Sequence, residues 1–257
     1  PFSLLMSASQ FLPFSLGRRA TLIGAMMAAI GLPACYLIWV MKGCKLWMPF
    51  ISDFDLSQPE AALFTSIGSL CPLLVSIGMV THFRERSVHL QNISSHRGWW
   101  IIESITLGLG LSCCAFVIAI AHLTWTEYFI LHGLLATLFF YCGTAWVVTL
   151  SMGTWHTSSN DKKLLSLLKI RSVFAILALL GLIGMVSQIP IYFSSNSFIA
   201  DEYLSLGRDV ERFCRTTLHP SINLAAAFEW LLVMSIIGVT TTLAFDQPTT
   251  NADDSVE

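Results

Sequence analysis

Charge is what this sequence has least of. Asp, Glu, Lys and Arg make up 12% of its 257 residues, about half the share usual in a soluble domain. The mean hydropathy of +0.68 agrees, and a chain so short of surface-type residues reads as a membrane protein. The net charge is only −2 and no basic stripe is present, which excludes a nucleic-acid footprint. None of the seven cysteines has CxxC or Cys/His spacing, so no metal is expected and no cofactor is implied. HExxH and GxSxG are missing, as are two histidines at ligand spacing on one helix, and no catalytic residue is assigned. There is no internal repeat, heptad run or second domain. No span carries the several charges of a transporter or channel.

What is there is six apolar runs, approximately Thr21–Met41, Ala61–Phe83, Ile101–His122, Glu127–Leu150, Ile170–Phe193 and Ile222–Phe245. Each meets the roughly 20 residues needed to cross a hydrocarbon core as a helix. Backbone groups in lipid must pair within the segment, so the expected fold is an all-α bundle of six transmembrane helices. Trp39, Trp47, Trp99, Trp100, Trp125 and Trp155 fall at or near span ends, as interfacial aromatics do. Residues 1–19 read as an interfacial lead-in, since the apolar stretch precedes Arg18 and Arg19, the reverse of a secretory signal. The spans fill 20–245, and residues 246–257 form an acidic tail.

Orientation follows from the basic residues. Nine of the 14 (Arg18, Arg19, Arg84, Arg86, Arg97, Lys162, Lys163, Lys169 and Arg171) fall on the side of the termini. The positive-inside rule therefore puts both termini in the cytosol. This leaves the sequon at Asn92–Ser94 in a cytosolic loop, where it cannot be glycosylated. The stretch "DKKLL", Asp161–Leu165, resembles an acidic-dileucine sorting signal, but a basic membrane-proximal segment contains such a string by accident. On the lumenal side lie the loop after the first span, a tight turn near His122–Glu127, and the loop Ser194–Ser221. Within the last, Leu206, Val210 and Phe213 share a helical face, and Glu211 and Arg215 are spaced as a helical ion pair. Cys44 and Cys214 are the two cysteines in lumenal loops, and the compartment permits a disulfide between them.

Two ionisable residues lie well inside spans, Glu229 in the last and His132 in the fourth, both in the lumenal half. Such residues raise a functional hypothesis by default. With Asp53, Glu60 and His122 they offer the residue types of an acid–base pair or metal hydrolase. The competing reading is that they bond to each other or to neighbouring helices and hold the bundle together. Glu103 and Gln188, nearer span ends, are expected to reach the interface by snorkelling. Gly24, Gly31, Gly68, Gly108, Gly110, Gly181 and Gly184 are expected to let helices approach closely.

The order of these pieces resembles a known family. The first lumenal loop carries Pro49, Phe50, Ile51, Ser52 and Asp53, then Pro59, Glu60 and Phe64; the fourth span carries His132–Gly133 and the last Glu229–Trp230. In this combination the chain resembles the Frag/DRAM/Sfk family of membrane proteins, departing from its pattern at Phe54 and Asp55. The resemblance implies a non-enzymatic multi-pass protein of lysosomal, Golgi or endoplasmic-reticulum membranes, with the plasma membrane as an alternative. It would modulate autophagy or lipid-dependent signalling through protein partners, and the autophagy-modulator branch is nearest in loop size. Two other branches imply remodelling of glycosylphosphatidylinositol-anchor lipids and regulation of a plasma-membrane phosphoinositide kinase. In the remodelling case a lipid headgroup would sit on the lumenal side, among Asp53, His132 and Glu229.

Overall fold

The computed structural model describes residues 14–47, 49–92, 97–158, 162–195, 200–216 and 220–246. They form α1 (Phe14–Met41), a 3-10 turn (Ile51–Leu56), α2 (Glu60–Asn92), α3 (Arg97–Ile120), α4 (Phe129–Thr157), α5 (Lys162–Ser195), α6 (Ala200–Arg208), α7 (Val210–Arg215) and α8 (Pro220–Leu243). No strand occurs among the described residues. Six of the helices, α1 to α5 and α8, are long and apolar enough to cross a membrane. Each packs on the next in sequence, and α8 packs on both α5 and α1, so the six close into a ring.

Several helices run past their apolar runs. α1 takes in residues 14–20, assigned above to the lead-in, because Arg18 pairs with Glu85 of α2 at 2.9 Å. Likewise α2 continues beyond Phe83 and α5 begins at Lys162. Hydropathy marks only the stretch that must lie in hydrocarbon, whereas a helix continues as long as its side chains find partners.

Close packing begins with α1 against α2. A Cβ on Gly78 would collide with Thr21 Oγ1, and one on Gly17 would collide with Thr81 Oγ1. Further along the ring, Gly181 of α5 admits the backbone of α8: the Leu232 nitrogen lies 2.8 Å from where a Cβ on that glycine would sit. Small residues of this kind let van der Waals contact replace the hydrophobic drive that lipid removes. Gly108 departs from the expectation: nothing lies within 4 Å of its added Cβ, so it makes no such contact.

The loops after α1 and before α8 are tied together at one end of the ring, here called the loop face. Cys44 and Cys214 form a disulfide, with Cα atoms 4.9 Å apart, and the Lys45 N–H donates to the Cys214 carbonyl at 3.0 Å. Phe213 is fully buried beside them, edge-on to Trp39 and Trp47. Trp39 in turn meets Phe54 of the 3-10 turn. The surface segment expected as one helix is two, broken at Asp209, whose carboxylate accepts the Arg212 N–H and caps α7. Glu211 and Arg215 pair at 3.0 Å on its exposed side. Sequon residues 93 and 94 and Asp161 lie outside the described residues. Leu164 is buried and Leu165 exposed, so one leucine of the dileucine string is turned into the bundle.

Candidate functional site

The site grows from the 3-10 turn. Asp53 Oδ2 accepts the Phe50 N–H at 2.9 Å while the Asp53 N–H donates to the Phe50 carbonyl at 3.0 Å. This reciprocal pair closes the turn and aims the next N–H, that of Ile51, at the last helix. Glu229 Oε2 accepts it at 2.9 Å. One residue on, the Trp230 indole N–H donates to the Pro49 carbonyl at 2.9 Å, and its ring lies edge-on to Phe54. Two adjacent residues of α8 therefore clip the first loop over the end of the ring. An intramolecular hydrogen bond contributes about 0.5–1.5 kcal/mol, and both bonds are shielded from water.

Behind the clip lies a cavity of about 170 Å³ lined by α1, α2, α3, α4 and α8. Its walls are apolar: Ile67, Val75, Phe140, Val233 and Ile236 are among them. At the loop-face end Ile51, Ser52, His132 and Glu229 line it, and Thr240 lies toward the other end. The His132 ring accounts for one nitrogen locally, since Nδ1 must donate to the Leu123 carbonyl. Neutral His132 then presents Nε2 as an acceptor.

The remaining expected residues are distributed around this point. Asp53 is buried outside the cavity lining. Burial, then the neighbouring charge of Glu229, pushes its carboxyl well above the usual range, against the pull of the Phe50 N–H and the Trp125 indole. Glu60, the first residue of α2, is fully buried and faces Lys42, 2.8 Å away, with Ser57 donating to the same oxygen. Pro59 follows a cis peptide bond after Gln58. His122 sits on the surface against Ser69 at 2.9 Å, not with His132. The single mouth collecting Asp53, Glu60, His122, His132 and Glu229 is thus four separate arrangements. His132 and Glu229 share the cavity without bonding to each other. No group of three or more His, Cys, Asp or Glu that could hold a metal occurs among the described residues.

The opposite face holds a polar cluster that the sequence reading missed. Arg171 of α5 is completely buried. Its guanidinium donates to Thr154 of α4, to Thr242 of α8 at 2.8 Å and to Asp246 at 2.8 Å. Asp246 Oδ2 also meets His82 Nε2 at 2.8 Å, and Arg86 pairs with Glu103 at 2.7 Å. Glu103 is therefore buried between helices and does not snorkel: a pairing cation one helix away is a better partner than distant water. Asp246, read above as the first residue of the tail, is 3% exposed and belongs to the bundle. Burial alone would raise its carboxyl, but the charges of Arg171, His82 and Arg86 and the His82 hydrogen bond hold it well below the usual carboxylate range. The missed signal was Arg171 in "LLKIRSVFAIL": once α5 begins at Lys162, that arginine lies more than two turns inside a span.

A family model described as the Frag1/DRAM/Sfk1/Cwh43P N-terminal domain matches residues 18–250. No curated protein and no solved structure matches the chain.

Proposed function

Because the chain belongs to the Frag1/DRAM/Sfk1/Cwh43P N-terminal-domain family, with six helices fit to span a bilayer, we propose that it is a lipid-responsive regulator of endomembranes. On this reading it acts through protein partners and without catalysis, in autophagy or lipid-dependent signalling. The observation that carries the reading is the central cavity, apolar along its length and polar at one end. A dry apolar cavity of roughly 150 Å³ takes up a molecule the size of benzene. A volume of about 170 Å³ thus suits a short length of an acyl or alkyl chain, held where five spans meet. Occupancy would change the packing of those five helices and the seating of the clipped loop, and so the surface offered to a partner. The charge bias of the sequence supports a lumenal loop face with cytosolic termini.

A second reading, participation in remodelling of glycosylphosphatidylinositol-anchor lipids, is favoured by one observation. Glu229 and His132, residue types used in acid–base chemistry, line the same end of that cavity. The test uses the tagged full chain in cells, with its localisation as the first readout. Glu229→Gln keeps an oxygen for the Ile51 N–H, so the variant is expected to fold and localise as the parent. The regulator reading expects altered autophagic flux with normal retention of anchored proteins at the cell surface. Loss of anchored-protein retention with normal flux overturns it in favour of the second reading.

A further inference from the structure

We infer that the Arg171 cluster is a binding site for a phosphate monoester group, with Asp246 as its built-in occupant, displaced when that ligand binds. The site is separate from the central cavity, since Arg171, Arg86, His82 and Asp246 are not among the residues lining that space. Its donor set is built for more anion than Asp246 supplies. Arg171 Nη1 and His82 Nε2 both donate to one oxygen, Asp246 Oδ2, at 2.8 Å, and Arg86 Nη1 stands 3.8 Å from the same oxygen. Arg171 Nη2 has no hydrogen-bond partner among the described residues, although the side chain is completely buried. An unmet buried donor is costly, and more so on a charged group. Thr154 and Thr242 give their own protons to the helix carbonyls of Leu150 and Val239, and so accept from Arg171 and fix its guanidinium in place. A carboxylate brings two oxygens and a single charge. A phosphate monoester brings three strong acceptor oxygens and up to two charges, and the guanidinium fork matches it in geometry.

Asp246 is held in a way that lets it leave. It follows the end of α8 at Leu243, and the N–H groups of Ala244, Phe245 and Asp246 reach back three residues at 3.1–3.4 Å. These bonds are at or beyond the long end of the usual range. Phe245 is 53% exposed, so its ring does not pin the segment, and the Asp246 carboxylate supplies the tie. Depth also suits a phosphate. The 34 residues of α5 extend about 51 Å at 1.5 Å per residue, more than a hydrocarbon core of about 30 Å. Its first turns, and the end of α8 beside them, therefore stand near the headgroup layer, where a phosphate group arrives from a lipid or from water.

The experiment measures binding of a fluorescent short-chain phosphatidic acid to the purified full chain in detergent, against the chain-matched phosphatidylglycerol, a phosphodiester of single charge. Removing the internal competitor in Asp246→Ala should tighten phosphatidic acid binding by at least about tenfold, because the parent's apparent affinity is scaled down by the fraction of molecules with Asp246 withdrawn. Asp246→Asn keeps the side chain's shape without its charge; it should shift the same way, and it carries the test if the alanine variant fails to fold. In Arg171→Met/Asp246→Ala the gain should disappear. Retention of the Cys44–Cys214 disulfide and slow dye labelling of the buried cysteines report folding. Displacement of the probe by inorganic phosphate at matched ionic strength assigns the ligand to solution, and persistence of the probe assigns it to a lipid head. The inference is overturned if the parent binds phosphatidic acid no better than the phosphodiester, or if the gain survives loss of Arg171. A gain below about twofold in both Asp246 variants overturns it as well.

Discussion

Removing the carboxylate of Asp246 should unlock the bundle at the face opposite the clipped loop. One oxygen, Oδ2, takes hydrogen bonds from Arg171 Nη1 and His82 Nε2, both at 2.8 Å. In Asp246→Ala the Arg171 guanidinium, 0% exposed, keeps only the two threonine hydroxyls as partners. Breaking a buried ion pair from one side costs about 3–5 kcal/mol. For a chain of this size each kcal/mol lowers the melting temperature by about 2–4 °C, so a fall of about 6–20 °C is expected. The assay is built into the sequence: Cys35, Cys71, Cys113 and Cys114 are free and buried, so a thiol-reactive dye reports unfolding of the detergent-solubilised protein. Arg171→Met removes the stranded charge, and the double variant Arg171→Met/Asp246→Ala should recover at least about 1 kcal/mol relative to the sum of the single losses. A fall below about 2 °C for Asp246→Ala, or strictly additive losses, would refute the assignment of this cluster as the lock.

Proton linkage should separate the two buried aspartates. The Asp53 carboxyl is raised by burial and then by Glu229, so its contribution to stability is fully present below its unfolded value of about 3.9 and is lost as pH rises through the native value. Thermal stability between pH 8 and 5 should therefore slope less steeply with pH in Asp53→Asn than in the parent. Asp246 has the opposite sign: its carboxyl is held well below the usual range, its contribution is present above about pH 3.9, and it is lost only as pH falls through the native value. The Asp246→Ala deficit should accordingly be the same at pH 7 and pH 5, and a deficit that shrinks over that interval contradicts the pairing. Cys44→Ser opens a link between residues 170 apart in sequence and should cost about 2–5 kcal/mol, measured by the same dye and reproduced in the parent by reductant. Gly78→Ala places a methyl group against Thr21, and the separation of α1 from α2 should cost about 1–3 kcal/mol, partly restored by Thr21→Ala in the same chain.

How legible the site was can be followed residue by residue. Glu229 and His132 stood out because a carboxyl and an imidazole inside apolar runs have few solvents available, and their chain positions put both in the same half of the bundle. That they share one cavity could not be read, since that depends on the rotation of α4 and α8 about their axes. Nor could the partner of Glu229 be read, which is the backbone N–H of Ile51, a group every residue but proline possesses. Arg171 was misplaced at the edge of a span because hydropathy starts α5 eight residues late. Glu103 was assigned to the interface because its cation, Arg86, belongs to the preceding helix, and the facing of two helices is not a property of either sequence segment.

The sequence by itself determined that the chain is a six-span helical membrane protein of one family. The bilayer imposes span length and backbone pairing, and both are local requirements written in consecutive residues. Where the polar groups meet was decided only by the tertiary structure. The packing of α8 onto the other spans creates the cavity, the clip through Ile51 and Trp230, and the cluster around Arg171. Each depends on side chains from helices far apart in sequence, brought into register by packing.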